Sequence, residues 1–166
     1  PCYIGENTII ANGALVRDSF IGPDCVIGLN TEVARSYLRK KVWTHSNYIG
    51  DSIIDENVSL GAGTITGNLR LDETDILVNS KDKKVSSERN KLGSIIGSGT
   101  RIGIHCSLNP GLKVGKNSFI GGNILIHKDV EEESFLCVKQ ELVLKKNIAK
   151  ADTQNRDVFV KKETFS

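Results

Sequence analysis

Apolar residues recur along this chain at an interval that suits neither a lone strand nor a helix. Ile4, Ile10 and Val16 stand six apart, and so do Ile21, Ile27 and Val33. Past Ile54 and Leu60, the series Ile96, Ile102, Leu108, Val114, Ile120 and Ile126 keeps a strict period of six. The position four further on is often small, as at Thr8, Ala14, Cys25, Thr31, Thr64, Thr100, Cys106 and Ser118. A longer period lies above the short one. Ile4, Ile21 and Leu38 are 17 apart, whereas Ile96 to Val114 and Ile102 to Ile120 are 18 apart. Three hexads therefore close one coil, with an occasional residue deleted at a corner. A fixed short period of this kind signals a repeat architecture.

A three-sided coil has a narrow interior, so small residues alternate with Ile, Val and Leu, and aromatic residues are only 5%. The pattern predicts an all-β fold, a triangular parallel β-solenoid in which each coil buries its apolar residues against its neighbours. Residues 1–66 hold about four coils and 94–130 about two, so the β-helix spans 1–133. Residues 67–93 break the rhythm with Asp72, Glu73, Thr74 and Asp75, then the run Lys81 to Lys84. This stretch reads as a hairpin or loop excursion, and long excursions from compact folds tend to be functional. Residues 134–166 form a C-terminal strand and tail, strand-like over 134–144 and polar from 147 onward.

Length and charge narrow the classes. A chain of 166 residues suits one domain and needs no disulfide staples. With 22 Lys+Arg against 20 Asp+Glu, the net charge of +2 argues against a nucleic-acid partner. No apolar stretch is long enough for a membrane helix or a secretory signal. Cys2, Cys25, Cys106 and Cys137 form no CxxC pair and no zinc spacing, which points to free thiols in a cytoplasmic setting without a structural metal. The chain has no methionine and starts at Pro1, so it reads as a piece of a longer protein.

Three histidines carry the candidate chemistry. His45 lies in Thr44-His-Ser-Asn-Tyr-Ile-Gly-Asp51, with Asn47, Tyr48, Asp51 and Asn68 within one or two coils. A corner histidine facing solvent is the bland alternative. Residues about 17 apart stack in such a coil, so Asn68 falls one coil from Asp51. His105 and His127 lack partners at coordination spacing and read as structural or surface residues. Cys25 and Cys106 occupy small inward positions and read as core packing. Arg39 to Lys41 and Lys81 to Lys84 read as solvated loop charges, with phosphate binding as the minority alternative. Trp43 suits either packing or a lid.

The hexads resemble the left-handed parallel β-helix of the hexapeptide acyltransferases. Left-handedness follows from that resemblance alone, since the usual crossover rule favours the other hand. The string from His45 through Tyr48, Gly50-Asp51, Asn57-Val58 and Gly61-Ala-Gly-Thr-Ile-Thr66 to Asn68 is more specific. So are Val16-Arg17, Glu32-Val-Ala-Arg35, Asn90-Lys-Leu-Gly93 and Leu108-Asn-Pro-Gly111. Over residues 1–139 these resemble the C-terminal domain of bifunctional sugar-1-phosphate nucleotidyltransferases, in the archaeal and related bacterial branch. The resemblance implies an N-acetyltransferase that uses acetyl-CoA on an amino-sugar 1-phosphate in nucleotide-sugar biosynthesis. It implies that His45 is the general base and that Tyr48 and Asn68 are sugar-site residues. Arg17 and Arg35 would contact the sugar phosphate, and Lys91 and Lys139 the phosphates of coenzyme A. A homotrimer is expected, packed through an apolar flat face.

Three positions depart from the family pattern. Ser59 stands where asparagine is usual, Ile104 replaces a serine, and the family's phosphate-binding lysine aligns with Ala34 or Arg35. No glycine-rich nucleotide signature is present, so the nucleotidyltransferase half is expected outside this chain. The rival reading is a non-catalytic β-helix that trimerises or regulates an attached nucleotidyltransferase.

Overall fold

A computed structural model describes residues 1–81 and 83–151. The described chain is all-β, wound as a parallel β-helix of triangular section. The first face stacks Tyr3–Ile4, Phe20–Ile21, Tyr37–Leu38, Ile53–Ile54, Ile95–Ile96 and Lys113–Val114, all parallel. The third stacks Leu15–Arg17, Glu32–Ala34, Tyr48–Gly50, Ile65–Thr66, Ser107–Leu108 and Leu125–Ile126. The second runs from Ile9–Ile10 and Val26–Ile27 through a single bridge at Trp43 to Ser59–Leu60, Arg101–Ile102, Phe119–Ile120 and Phe135–Leu136. Its winding is that of the left-handed β-helix acyltransferases.

Strands this short are held by stacking rather than by propensity. Ile21, Leu38, Ile54 and Ile96 form one buried column, and Val33, Ile49 and Leu108 belong to another. Thr31, Thr64, Thr100, Ser118, Cys25 and Cys106 fill the small inward positions and are fully buried. A buried hydroxyl must be paired. The Thr64 hydroxyl donates to Gly103 O at 2.8 Å and accepts from Cys106 N–H at 3.3 Å, so one side chain ties two coils. Burial pushes the Cys25 thiol above its ordinary pKa, as suits a packing residue rather than a nucleophile.

Two expectations change. Ile4 and Ile10 hold inward hexad positions in the first described coil, and each is 41% exposed. Outward apolar residues are not gathered on one face. Tyr37 and Ile53 stand exposed on the first face, Trp43 and Phe119 on the second, and Ile65 and Leu125 on the third. On the first face Tyr3, Phe20 and Tyr37 stack ring on ring, with centroids 4.6 and 4.7 Å apart.

Residues 67–93 leave the helix after the fourth coil and return in phase, so that Ile95–Ile96 pairs directly with Ile53–Ile54. Within them Leu77–Ser80 and Lys83–Ser86 form an antiparallel hairpin. Buried Ile76 fixes it against Gly111, where φ is +75° and a Cβ would lie 2.5 Å from the Ile76 side chain. Past Val130, among the described residues, Phe135–Leu136 is the one strand; residues 137–144 are irregular and exposed. The polar tail expected from 147 lies mostly outside the described residues.

Candidate functional site

The coils are unequal, and their short corners coincide with the candidate residues. From the second face to the third the chain takes six positions, as from Val26 to Glu32 and from Ser59 to Ile65. From Trp43 to Tyr48 it takes five, and His45 sits on that shortened corner. Asn47 closes the gap. Its buried side chain accepts from the His45 N–H at 2.7 Å and donates to Gly61 O and Thr64 O at 2.8 and 3.0 Å. The His45 carbonyl accepts from the Thr31 hydroxyl. The backbone of His45 is thus pinned by its own corner and by the preceding coil, while its imidazole is exposed and makes no hydrogen bond among the described residues.

The edge between the third and first faces is also short in the first three coils, turning through Asp18, Arg35 and Asp51, each with φ of 48–49°. Asp51 is the hub. The Arg35 guanidinium donates from Nε to Oδ1 at 2.7 Å and from Nη2 to Oδ2 at 2.8 Å. Asn68, one coil on, donates to the same Asp51 Oδ2 and to the Tyr48 hydroxyl at 3.1 Å. Gly50 makes this possible, since a Cβ there would lie 2.6 Å from the Tyr48 hydroxyl and 2.7 Å from the Asn68 amide. Burial pushes the Asp51 carboxyl up, but hydrogen bonds from Arg35 and Asn68 and the charges of Arg35 and Lys91 outweigh it and hold the carboxyl below its usual range. The hydrogen bond to Asp51 raises the Arg35 guanidinium in turn.

Tyr48, Asn68 and Arg35 therefore come together around Asp51. Arg17 is spent elsewhere, on Glu32 at 2.6 Å from its Nη2. Its backbone is in register with Ala34 and Gly50, one position short of the Arg35 column. Lys91 lies exposed at the foot of the excursion, bridged to Leu69, and borders the same crevice of about 630 Å³ as Arg35 and Asp51. Arg89 borders it too. Sequence reasoning passed over Arg89, although Arg89-Asn-Lys91 closes the excursion, and treated Asp51 only as a neighbour. Lys139 lies exposed three residues past Phe135–Leu136 and is not among the residues that border the crevice with Lys91. Ser59 faces outward between Trp43 and Arg101. His105 and His127 are exposed corner residues. Arg39 and Lys40 pair with Asp55 and Glu56 one coil on, as solvated corner charges do.

Beyond His45, successive coils present Ala62, Ile104 and Gly122 along the same edge, as the backbone bonds from Gly63 to Ser46, His105 to Ala62 and Asn123 to Ile104 fix. These small or apolar residues make a smooth track running away from the histidine.

No family model matches the chain. It is 43% identical over 145 residues, 87% of its length, to the bifunctional protein GlmU of Methanococcus vannielii, of which those residues are 32%. It is 41% identical over 114 residues, 68% of its length, to a bifunctional sugar-1-phosphate nucleotidylyltransferase/acetyltransferase of Sulfurisphaera tokodaii, of which they are 28%. The chain thus spans about a third of the length of these relatives. Among solved structures, AntD, an N-acyltransferase from Bacillus cereus, superposes with a TM-score of 0.63 at 12% identity, covering 97% of this chain and 88% of that one. The acetyltransferase domain of PglB from Neisseria gonorrhoeae gives 0.60 at 20% identity, covering 77% and 53%. At such identities these two show a shared fold. In sequence the chain thus resembles, over about a third of their length, the bifunctional sugar-1-phosphate nucleotidyltransferase/acetyltransferases, and its fold is the left-handed β-helix of the acyltransferases.

Proposed function

We propose that this chain is the acetyl-CoA-dependent N-acetyltransferase part of such a protein, acting on an amino-sugar 1-phosphate as a cytoplasmic homotrimer. The observation that carries the reading is His45: its backbone is pinned by Asn47 and Thr31 while its ring stays open. A general base needs a fixed position and an unoccupied nitrogen. The neutral amine attacks the thioester carbonyl, its nitrogen gains the acyl group, His45 takes the proton, and the thiolate leaves. The family relationship supports this chemistry. So does AntD, whose structure holds dTDP and 3-hydroxybutyryl-CoA.

Coenzyme A fits the track from His45 past Ala62, Ile104 and Gly122 to Lys139. That run covers four coil steps, about 19 Å at roughly 4.8 Å per step, which suits an extended pantetheine arm with a basic group at its far end. The backbone N–H groups of Ala62 and Ile104 have no protein acceptor among the described residues, so both are free to meet a developing oxyanion. Tyr48, Asn68 and Lys91 would meet the sugar phosphate across the crevice.

One observation favours the non-catalytic reading. The guanidinium groups of Arg17 and Arg35 are already held by Glu32 and Asp51, so phosphate would have to compete for them. Following thiol release from acetyl-CoA with a panel of amino-sugar 1-phosphates separates the two. Acceptor-dependent release with at least one member supports the enzyme, and release with none supports the scaffold.

A further inference from the structure

The excursion divides its surroundings. On the side of the first four coils it borders the Arg35 and Asp51 crevice. On the other side the hairpin roofs a second crevice of about 790 Å³ against the corners at Asn109–Gly111 and His127–Asp129. The roof is anchored. Lys113 Nζ donates to Asn79 O, Asn79 Nδ2 donates to Asp129 Oδ2 at 3.0 Å, and Lys113 N–H donates to Asp129 Oδ1 at 2.9 Å.

This anchoring sets the charge of the space. Asp129 is spent on the hairpin, and the Arg70 guanidinium is held by Asp72. Lys81, Lys84 and Lys128 also line the crevice, and none forms an ion pair among the described residues; Glu131 is the one other acid on its wall. Elsewhere on this β-helix surface cations commonly meet an acid one coil away, as in Arg17 with Glu32, Arg39 with Asp55, and Lys116 with Glu132. Three ammonium groups without an ion pair among the described residues, set around one concave space, suit a compact ligand of more than one negative charge. Phosphate groups supply that charge at neutral pH, and lysine binds them as a point charge.

We propose that the crevice under the hairpin is a binding site for a phosphate-bearing small molecule, held by Lys84 and Lys128 with Lys81 at its mouth. The site stands apart from the His45 edge and does not depend on the acyl-transfer reading. Its ligand is either a free phosphorylated metabolite or the nucleotide end of a coenzyme reaching over from a neighbouring copy.

Calorimetry at low ionic strength tests this, with pyrophosphate and adenosine 3′,5′-bisphosphate as probes and no turnover involved. Saturable binding of at least one probe is expected. It should weaken at least tenfold in Lys84→Ala/Lys128→Ala and stay unchanged in Lys145→Ala/Lys146→Ala, whose lysines lie on the exposed tail. Equal thermal melts of the variants keep the comparison sound. Binding that coenzyme A competes away identifies the coenzyme's nucleotide end, and binding that survives saturating coenzyme A identifies a separate metabolite; both support the site. No saturable binding of either probe, or an equal loss in the tail variant, overturns it. Failure here leaves acetyl transfer untouched, because thiol release is measured separately.

Discussion

Arg35 and Asp51 meet as a two-pronged pair across one coil, Nε to Oδ1 at 2.7 Å and Nη2 to Oδ2 at 2.8 Å, both from corner residues with positive φ. Two left-handed corners in register bring the side chains face to face, and the carboxylate they share then orients Asn68. The folded state lowers the Asp51 pKa, so the carboxylate stabilises the fold above its ordinary titration range and loses that contribution as pH falls through the lowered value. Asp51→Asn should therefore lower the melting temperature at neutral pH by the equivalent of about 1–3 kcal/mol. The gap from wild type should close on acidification. Melts of both proteins from neutral to about pH 3 check it; a gap that stays constant would remove the ionised carboxylate as the cause.

A serine ladder on the same edge gives a test of the fold itself. Ser36, Ser52 and Ser94 each donate a backbone N–H at 3.0 Å to the serine hydroxyl of the preceding coil. The ladder ends at Ser94, whose hydroxyl is buried without a hydrogen-bond partner among the described residues. Ser94→Ala should leave stability unchanged or raise it, since an unpaired buried hydroxyl contributes nothing. Ser52→Ala strands the Ser94 N–H and should cost about 1–3 kcal/mol. Denaturant melts that rank the two variants the other way round would contradict the ladder.

Much of this architecture is legible in the hexads, because an inward Ile or Val every six residues leaves no other way to bury the chain. The change from a 17- to an 18-residue spacing also had a readable cause. Third-to-first corners take five positions up to Ile53 and six from Ser107 to Lys113. The shortened corner at His45 was hidden, because the inward residue before it is the polar Thr44, so no apolar spacing registers the lost position. The clustering of Tyr48, Asn68 and Asp51 followed from coil spacing. The capture of Arg35 did not, since it depends on two left-handed corners and not on residue type. The clamp between Asn79 and Asp129 joins positions 50 apart, and no periodicity points to it.

Assembly should follow from the apolar residues on all three faces. A three-fold ring uses two different surfaces of each copy, so exposed Tyr37, Trp43 and Ile65 need not lie on one face. Light scattering at micromolar concentration is expected to report a trimer. A monomer at that concentration would remove the trimer and any site shared between copies.

In the reading proposed above Lys139 stands at the far end of the coenzyme track and Lys91 beside the sugar-phosphate crevice, so Lys91 would reach the coenzyme only from a second copy. Lys139→Ala should weaken coenzyme A binding by about 1–2 kcal/mol, as for an exposed charge-assisted contact. Lys91→Ala should do so only if a second copy carries it to the track. Calorimetry on both variants sorts these cases, and unchanged affinity in both would place the phosphates elsewhere.

His45 gives the sharpest test, because its ring is exposed and makes no hydrogen bond among the described residues. His45→Ala should lower kcat by about 10²–10⁴ and leave coenzyme A affinity and the melting temperature nearly unchanged. Asn47→Ala separates position from chemistry: it frees the His45 N–H and removes a donor from Gly61 O and from Thr64 O in the next coil, so stability and kcat should fall together. Tyr48→Phe and Asn68→Ala should raise KM for the amino sugar instead, because their hydroxyl and amide meet the acceptor rather than its proton. If His45→Ala acetylates the acceptor as fast as the wild type does, the open ring is a solvent-facing corner residue and proton removal lies with another group.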